Sequence, residues 1–157
     1  MLEVEQNIFS ISTYNLNTVH DSSIYLEIHV PGAIEMKIQN VEIFANGIPH
    51  TLELFINPNL IPGDNKLIPV RHHISNKCKQ SMIHFSDNPR CIESVGENIM
   101  WVVGDHRDIY TSGLNNRIVT LTNFIFEEGI YILKLTNKSH EDNLMCMLLN
   151  WQEILTE

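Results

Sequence analysis

The sequence has no long amphipathic helix, no long apolar run and no recognisable leader. No segment of the 157 residues repeats apolar side chains at the i, i+3, i+4 and i+7 spacing of a helix with one buried face. No run approaches the roughly 20 apolar residues that a membrane-spanning helix needs. Residues 1–6 lack the basic start and apolar core of a signal peptide. We therefore expect a soluble protein that is made in the cytosol and has no membrane partner.

Basic residues and cysteines are also scarce. The chain has 10 Lys and Arg against 19 Asp and Glu, which gives a formal net charge of −9, and the basic residues are scattered. Nucleic-acid binding depends on clustered Lys and Arg that displace counterions from phosphates, so the composition argues against a nucleic-acid partner. The three cysteines are an odd number, so at least one thiol is free or pairs outside the chain. Cys146 lies in an apolar run and is expected to be buried.

Apolar and polar residues alternate along much of the sequence with a period of two. Ile24, Leu26, Ile28 and Val30 fall on one side of an extended chain, and the polar residues between them fall on the other. Similar runs of about five to ten residues, closed by Gly, Pro or Asn, recur to the C-terminus. The pattern predicts an all-β protein.

The number of predicted strands favours two layers. We expect about nine or ten strands, which are too many for one half-exposed sheet in a chain of this size. Two packed antiparallel sheets solve this problem, so the sequence predicts a β-sandwich that is jelly-roll-like or of another sandwich topology. Residues 1–17 are interpreted as an N-terminal arm or edge strand, and residues 18–157 as a single β-sandwich domain.

Two local signals concern strand register and connection. The alternation slips by one residue at Gln39 and Asn40, which predicts a β-bulge, since an uncorrected slip would turn the apolar set to the wrong face. The pair Asn46-Gly47 favours a tight hairpin between residues 41–44 and a partner strand at residues 51–56.

The loop Asp105-His106-Arg107-Asp108 is the cluster that most resembles a catalytic one. A carboxylate beside an imidazole can orient and charge it. No nucleophile or second base is recognisably paired with the cluster, however, so we interpret it as a hydrophilic loop with local ion pairs.

Adjacent histidines raise the alternative of a metal site. His72 and His73 point to opposite faces if they lie on a strand, so they are poorly placed to chelate one ion. A metal-binding jelly roll of the cupin type would show His-x-His, which this chain lacks. We therefore assign no metal-binding residues.

Other signatures of enzymes are absent, including the phosphate-binding loop, the nucleophile turn Gly-x-Ser-x-Gly and Cys-x-x-Cys. Glu127-Glu128 is more simply a solvated turn than a pair of glycosidase carboxylates. Tyr25, Tyr110 or Trp101 would be able to stack on a sugar in a lectin-like module. The sequence thus predicts no enzyme, no catalytic residues and no cofactor.

Two parts of the chain resemble small virion proteins of tailed bacteriophages. The first is TLELFINP at residues 51–58 with KLIPVRHHISNK at residues 66–77, where that family has a strand, a polar-Pro turn and Leu-x-Pro-x-Asn-Arg-Asn-Arg. The second comprises residues 122–126, GIYILKLTN at residues 129–137 and the closing Asn150-Trp151, which are similar to the family's last two strands. Arg71-His72-His73-Ile74 replaces the Asn-Arg-Asn-Arg element, so contacts of those polar side chains are not carried over.

The resemblance covers about residues 20–155 and implies a non-enzymatic β-sandwich of the virion. Its implied role is a capsid decoration or cement subunit, a homotrimer whose partners are the major capsid protein and its own copies on the capsid surface, made in the host cytoplasm. A tail, fibre or adaptor component of the virion and a carbohydrate-binding module are the alternatives. In the virion role, residues 1–17 are expected to add a strand to the sheet edge of a neighbour.

Overall fold

The computed structural model describes residues 8–45, 50–71, 80–104, 115–120 and 124–156 and confirms the all-β prediction. These residues form fourteen strands, of which ten have four or more residues. The strands beyond the predicted nine or ten have two or three residues each. The strands are β1 Ile8–Thr18, β2 Ser23–Val30, β3 Ile34–Ala45, β4 His50–Ile56, β5 Asn59–Ile61, β6 Lys66–Leu67, β7 Val70–Arg71, β8 His84–Asp87, β9 Cys91–Ser94, β10 Glu97–Gly104, β11 Asn115–Thr120, β12 Ile125–Phe126, β13 Gly129–Asn137 and β14 Asn143–Leu155.

The eight longest strands form a jelly roll of two antiparallel sheets. The first sheet has the order β11-β3-β14-β1-β7, with β12 also paired to β3, and the second has the order β10-β4-β13-β2-β8-β6. Successive long strands alternate between the sheets from β1 to β4 and again from β10 to β14, whereas β4 and β10 pair within the second sheet. This order in two four-stranded layers defines a jelly-roll sandwich, the fold class that the sequence predicts.

A long insertion, residues 57–96, lies between β4 and β10 and supplies five short strands. Strand β7 extends the first sheet beside β1, whereas β8 and then β6 extend the second sheet beside β2. The other two, β5 and β9, form a separate two-stranded sheet. The insertion therefore lies along one side of the sandwich, where β1 and β2 would otherwise be edge strands.

The predicted β-bulge is confirmed, and the predicted hairpin is wrong. Asn150 of β14 pairs with Asn40, but the next residue, Trp151, pairs with Ile38, so Gln39 is the extra residue. Residues 41–44 belong to β3 in the first sheet, and residues 51–56 to β4 in the second. The two segments do not pair, because the chain crosses from the first sheet to the second between β3 and β4. The turn that joins them lies outside the described residues.

Trp151 contacts residues of both sheets and of the insertion. Its side chain is fully buried on β14 and stacks on Phe9 of the neighbouring β1, with ring centroids 5.8 Å apart. It also contacts Phe85 of β8, in the second sheet, with centroids 4.8 Å apart. Its indole N–H donates to Glu153 Oε1 at 3.2 Å, and Glu153 Oε2 accepts the Met82 backbone N–H at the same distance.

We expect Trp151→Ala to lower the free energy of unfolding by about 3–5 kcal/mol, the usual cost of deleting a large aromatic side chain from a core. Leu155→Ala is the matched control, because Leu155 ends the same strand and is 62% exposed. It should change stability by less than about 0.5 kcal/mol. Urea unfolding monitored by far-UV circular dichroism measures both variants, and equal destabilisation would contradict this account of the core.

Candidate functional site

The polar clusters noted in the sequence lie mostly outside the described residues. Residues 105–108 and 72–73 both do, so their interpretations as a hydrophilic loop and as non-ligands stay predictions. Glu127 and Glu128 are exposed between β12 and β13, and Tyr131 donates its hydroxyl to the backbone oxygen of Glu127 at 2.9 Å. That position agrees with a solvated turn.

The aromatic residues considered for sugar stacking do not form a site in the described part of the chain. Tyr25 is half-buried on the outer face of the second sheet, where its backbone N–H donates to Asn88 Oδ1 at 3.3 Å. Tyr110 and the side chain of Trp101 lie outside the description.

The outer face of the first sheet carries a row of apolar side chains. Tyr14 of β1 pairs with Cys146 of β14, which pairs with Phe44 of β3. Directly opposed residues of antiparallel strands point to the same face, so the three side chains lie side by side. Leu148, two residues further along β14, points to the same face and lies beside this row, between Ser12 and Glu42. We call Tyr14, Cys146 and Phe44, together with the neighbouring Leu148, the apolar row.

The apolar row is open to solvent at the β1 end. Tyr14 is 66% exposed, whereas Phe44, Cys146 and Leu148 are half-buried. Cys146 is therefore less buried than its apolar sequence context predicted, because it faces outward, away from the core. Burial is still sufficient to raise the pKa of its thiol above the usual value.

Strand β1 is paired over only two residues along its outer edge in the described part of the chain. Strand β7 pairs only with Phe9 and Ser10, and no other described strand pairs with β1 on that side. Among the described residues, 11–16 therefore present an open edge next to the apolar row, and Leu16 on it is 72% exposed. An edge of this kind is a ready acceptor for a strand from another chain.

A second surface lies on the outer face of the second sheet, where the insertion covers a buried carboxylate. Glu27 of β2 is fully buried although it points away from the core. Its Oε1 contacts Nε2 of His29, two residues along the same strand face, and its Oε2 accepts the backbone N–H of Gly63 at 3.2 Å. A buried carboxylate needs such partners, since its desolvation is otherwise costly.

Gly63 is required for this contact because the insertion approaches the sheet closely. A Cβ atom at this position would lie 2.2 Å from the backbone oxygen of Asp87 and 2.9 Å from that of Asn88. No side chain fits there without displacing backbone, so the insertion is able to reach Glu27 only with glycine at position 63.

A pocket of about 540 Å³ opens beside the Glu27–His29 pair. The paired strands place its polar groups on one face: His84 lies opposite His29, and Ser86 lies between Glu27 and Lys66. The polar side chains that line the pocket are His29, Lys66, Gln80, Ser81, His84 and Ser86. Its apolar wall includes Ile68, Pro69 and Phe85.

The sequence analysis did not single out this pocket. The spacing Glu27-x-His29 on a predicted strand does place both side chains on one face, which is a signal available from the sequence alone. Their burial depends instead on the fold of residues 57–96, because Gly63 is distant in sequence and reaches Glu27 only through the insertion. In the described ranges, no group of three His, Cys, Asp or Glu side chains is placed to hold a metal ion.

Comparison with known proteins leaves the surfaces unassigned: no family model, no curated protein and no solved structure matches this chain. Within the described residues, no helix is sufficiently long and apolar to cross a membrane.

We expect Glu27→Ala to lower the free energy of unfolding by about 2–4 kcal/mol, because it leaves the Gly63 N–H buried without its acceptor and removes the partner of His29. Glu27→Gln should cost less, since its amide oxygen can still accept the Gly63 N–H. Glu141→Ala, which also removes a carboxylate but at an exposed position, is the control. If chemical denaturation finds Glu27→Ala no less stable than Glu141→Ala, the buried carboxylate does not hold the insertion.

Proposed function

We propose that the protein is a non-enzymatic structural subunit of a tailed-bacteriophage virion, a decoration or cement protein that binds the capsid surface and associates with copies of itself. The observation that carries the proposal is the open edge of β1 beside the apolar row. Tyr14 and Leu16 place two large, exposed apolar side chains at this edge. Such a combination suits a binding surface for protein neighbours, because the backbone supplies hydrogen bonds and the side chains supply apolar contact.

The resemblance to phage virion proteins supports the same role. Its first part, residues 51–58 with 66–77, includes most of β4 and, in the insertion, β6 and β7, and its second includes all of β13 and part of β14. The resemblance therefore concerns strands of the sandwich and also residues 66–69, which line the pocket. A subunit that binds only the assembled shell would stabilise it by mass action.

The proposed mode of association differs from the one expected from the sequence. Ile8–Thr18 pairs along β14 of its own sheet and forms an integral strand, so this part of the N-terminal segment is not a free arm. The exposed edge of β1 is instead the acceptor in our proposal, and a segment of the neighbouring subunit is the donor. A closed ring such as a trimer would cover this edge in every copy.

Self-association is tested by size-exclusion chromatography with light scattering. We expect the wild-type protein to form trimers. The trimer of the double variant Tyr14→Lys/Leu16→Lys should dissociate already at a protein concentration at least roughly tenfold above the one at which the wild-type trimer dissociates, because charged lysines at an open edge oppose strand pairing. Leu155→Lys adds a charge at an exposed apolar residue away from this edge and should leave the trimer intact.

Capsid binding is tested by co-sedimentation with empty head shells of tailed phages that infect the source host. The wild-type protein and Leu155→Lys should sediment with shells of the matching phage, and the double variant should remain in the supernatant. A wild-type protein that stays monomeric and sediments with no shell would overturn the proposal.

A further inference from the structure

The pocket beside Glu27 brings one lysine and two histidines together in a protein that is acidic overall. His29 on β2 and His84 on β8 are directly opposed, and Lys66 on β6 pairs with Ser86, two residues beyond His84. Opposed and diagonal neighbours on one sheet face have Cβ atoms about 5 and 7–8 Å apart. Three side chains that carry or can accept a proton thus converge on one face, while the whole chain has a net charge of −9.

The carboxylates near this face already have partners. Glu27 is bound by His29 and Gly63, as described above. Asp64 lies 3.5 Å from Arg90 Nε, and Asp87 Oδ2 accepts a hydrogen bond from Asn65 Nδ2 at 3.0 Å. No acidic side chain lines the pocket itself among the described residues.

Lys66 and His84, in contrast, are exposed and make no hydrogen bond or ion pair in the described structure. Each can therefore bind a ligand without breaking an existing contact. His29 is different, because Glu27 holds one of its ring nitrogens and fixes the orientation of the ring. The pocket thus combines the uncommitted ammonium group of Lys66 and the uncommitted imidazole of His84 with the oriented imidazole of His29.

The remaining lining indicates the size and character of a ligand. A volume of about 540 Å³ lies within the range of small-molecule sites. Gln80 and Ser86 offer an amide and a hydroxyl, whereas the Ser81 hydroxyl already donates to Glu153 Oε1 and accepts the Ile83 N–H. Ile68, which is 87% exposed, and Pro69 form an apolar wall. The amide, the hydroxyl, the apolar wall and the N–H donors of Lys66 and His84 together match a polar ligand with one anionic group.

We propose that this pocket binds the carboxylate of a small polyhydroxylated ligand, an acidic sugar, with Lys66 and His84 as the groups that contact the carboxylate. The inference does not rest on the virion role, since none of its residues belongs to the apolar row or to the open edge of β1. Failure of capsid binding and failure of ligand binding are therefore separate results.

The test is an amide-detected NMR titration of the full chain with D-glucuronate, with D-glucose as the neutral analogue and acetate as the carboxylate alone. We expect glucuronate, but not glucose, to shift the amide signals of β2, β6 and β8. Lys66→Gln and His84→Gln should each weaken glucuronate binding about tenfold, the usual effect of losing a hydrogen bond to a charged group. Lys37→Gln removes the same charge from an exposed position on the first sheet and should bind like wild type.

Each outcome decides the proposal. If acetate and glucuronate bind equally well, the pocket binds a carboxylate but does not recognise the sugar, and the assignment of an acidic sugar is wrong. Equal shifts with glucose and glucuronate would overturn it, as would the absence of shifts with either carboxylate. The two variants are at exposed positions, and a wild-type amide spectrum outside the pocket verifies their folding. Unchanged glucuronate affinity in both would also overturn the assignment.

Discussion

The outer face of the second sheet carries a row of buried side chains, and the insertion contacts one of them, the Glu27 carboxylate. Phe55 and Ile132 lie opposite each other on β4 and β13, and Glu27 follows Ile132 in the same row on β2. All three are buried although they point away from the core between the sheets. Because Glu27 accepts the Gly63 N–H, the stability of this face depends on the conformation of the insertion around Gly63.

Backbone contacts also hold the insertion against the second sheet. Backbone N–H groups hold it at several points: Asn57 donates to Ile130 and Asn88 to Tyr25, at 3.1 and 3.3 Å. Gly96, at the end of the insertion, has a positive φ of 85°, and a Cβ there would lie 2.0 Å from the backbone oxygen of Ile56. The Glu27 carboxylate is enclosed by His29 and Gly63, and the pocket lies beside it between β2, β6 and β8.

Where one face of a strand is polar, the sequence predicts which face lies in the core. Where both faces are buried, the sequence does not distinguish them. Residues 23–30 show clean alternation, and the slip at Gln39 predicts the bulge, because each strand has one face in the core. In β4, five of the seven residues are buried on two different faces, so its apolar residues do not reveal which neighbour covers them. The wrong hairpin has the same origin, since Asn-Gly describes a turn but not the layer to which the next strand belongs.

The pocket was not predictable for a related reason. Its polar groups come from three short stretches of chain that are brought together by two-residue and four-residue strands, β6 and β8, which are too short to show a period. The outer face of the first sheet is the opposite case: its long strands are readable, and no described segment covers Tyr14 and its neighbours. The two sheets therefore differ in how their outer faces are completed. On the second, the insertion covers the Glu27 carboxylate, whereas on the first no described segment covers Tyr14 or pairs with the outer edge of residues 11–16 of β1.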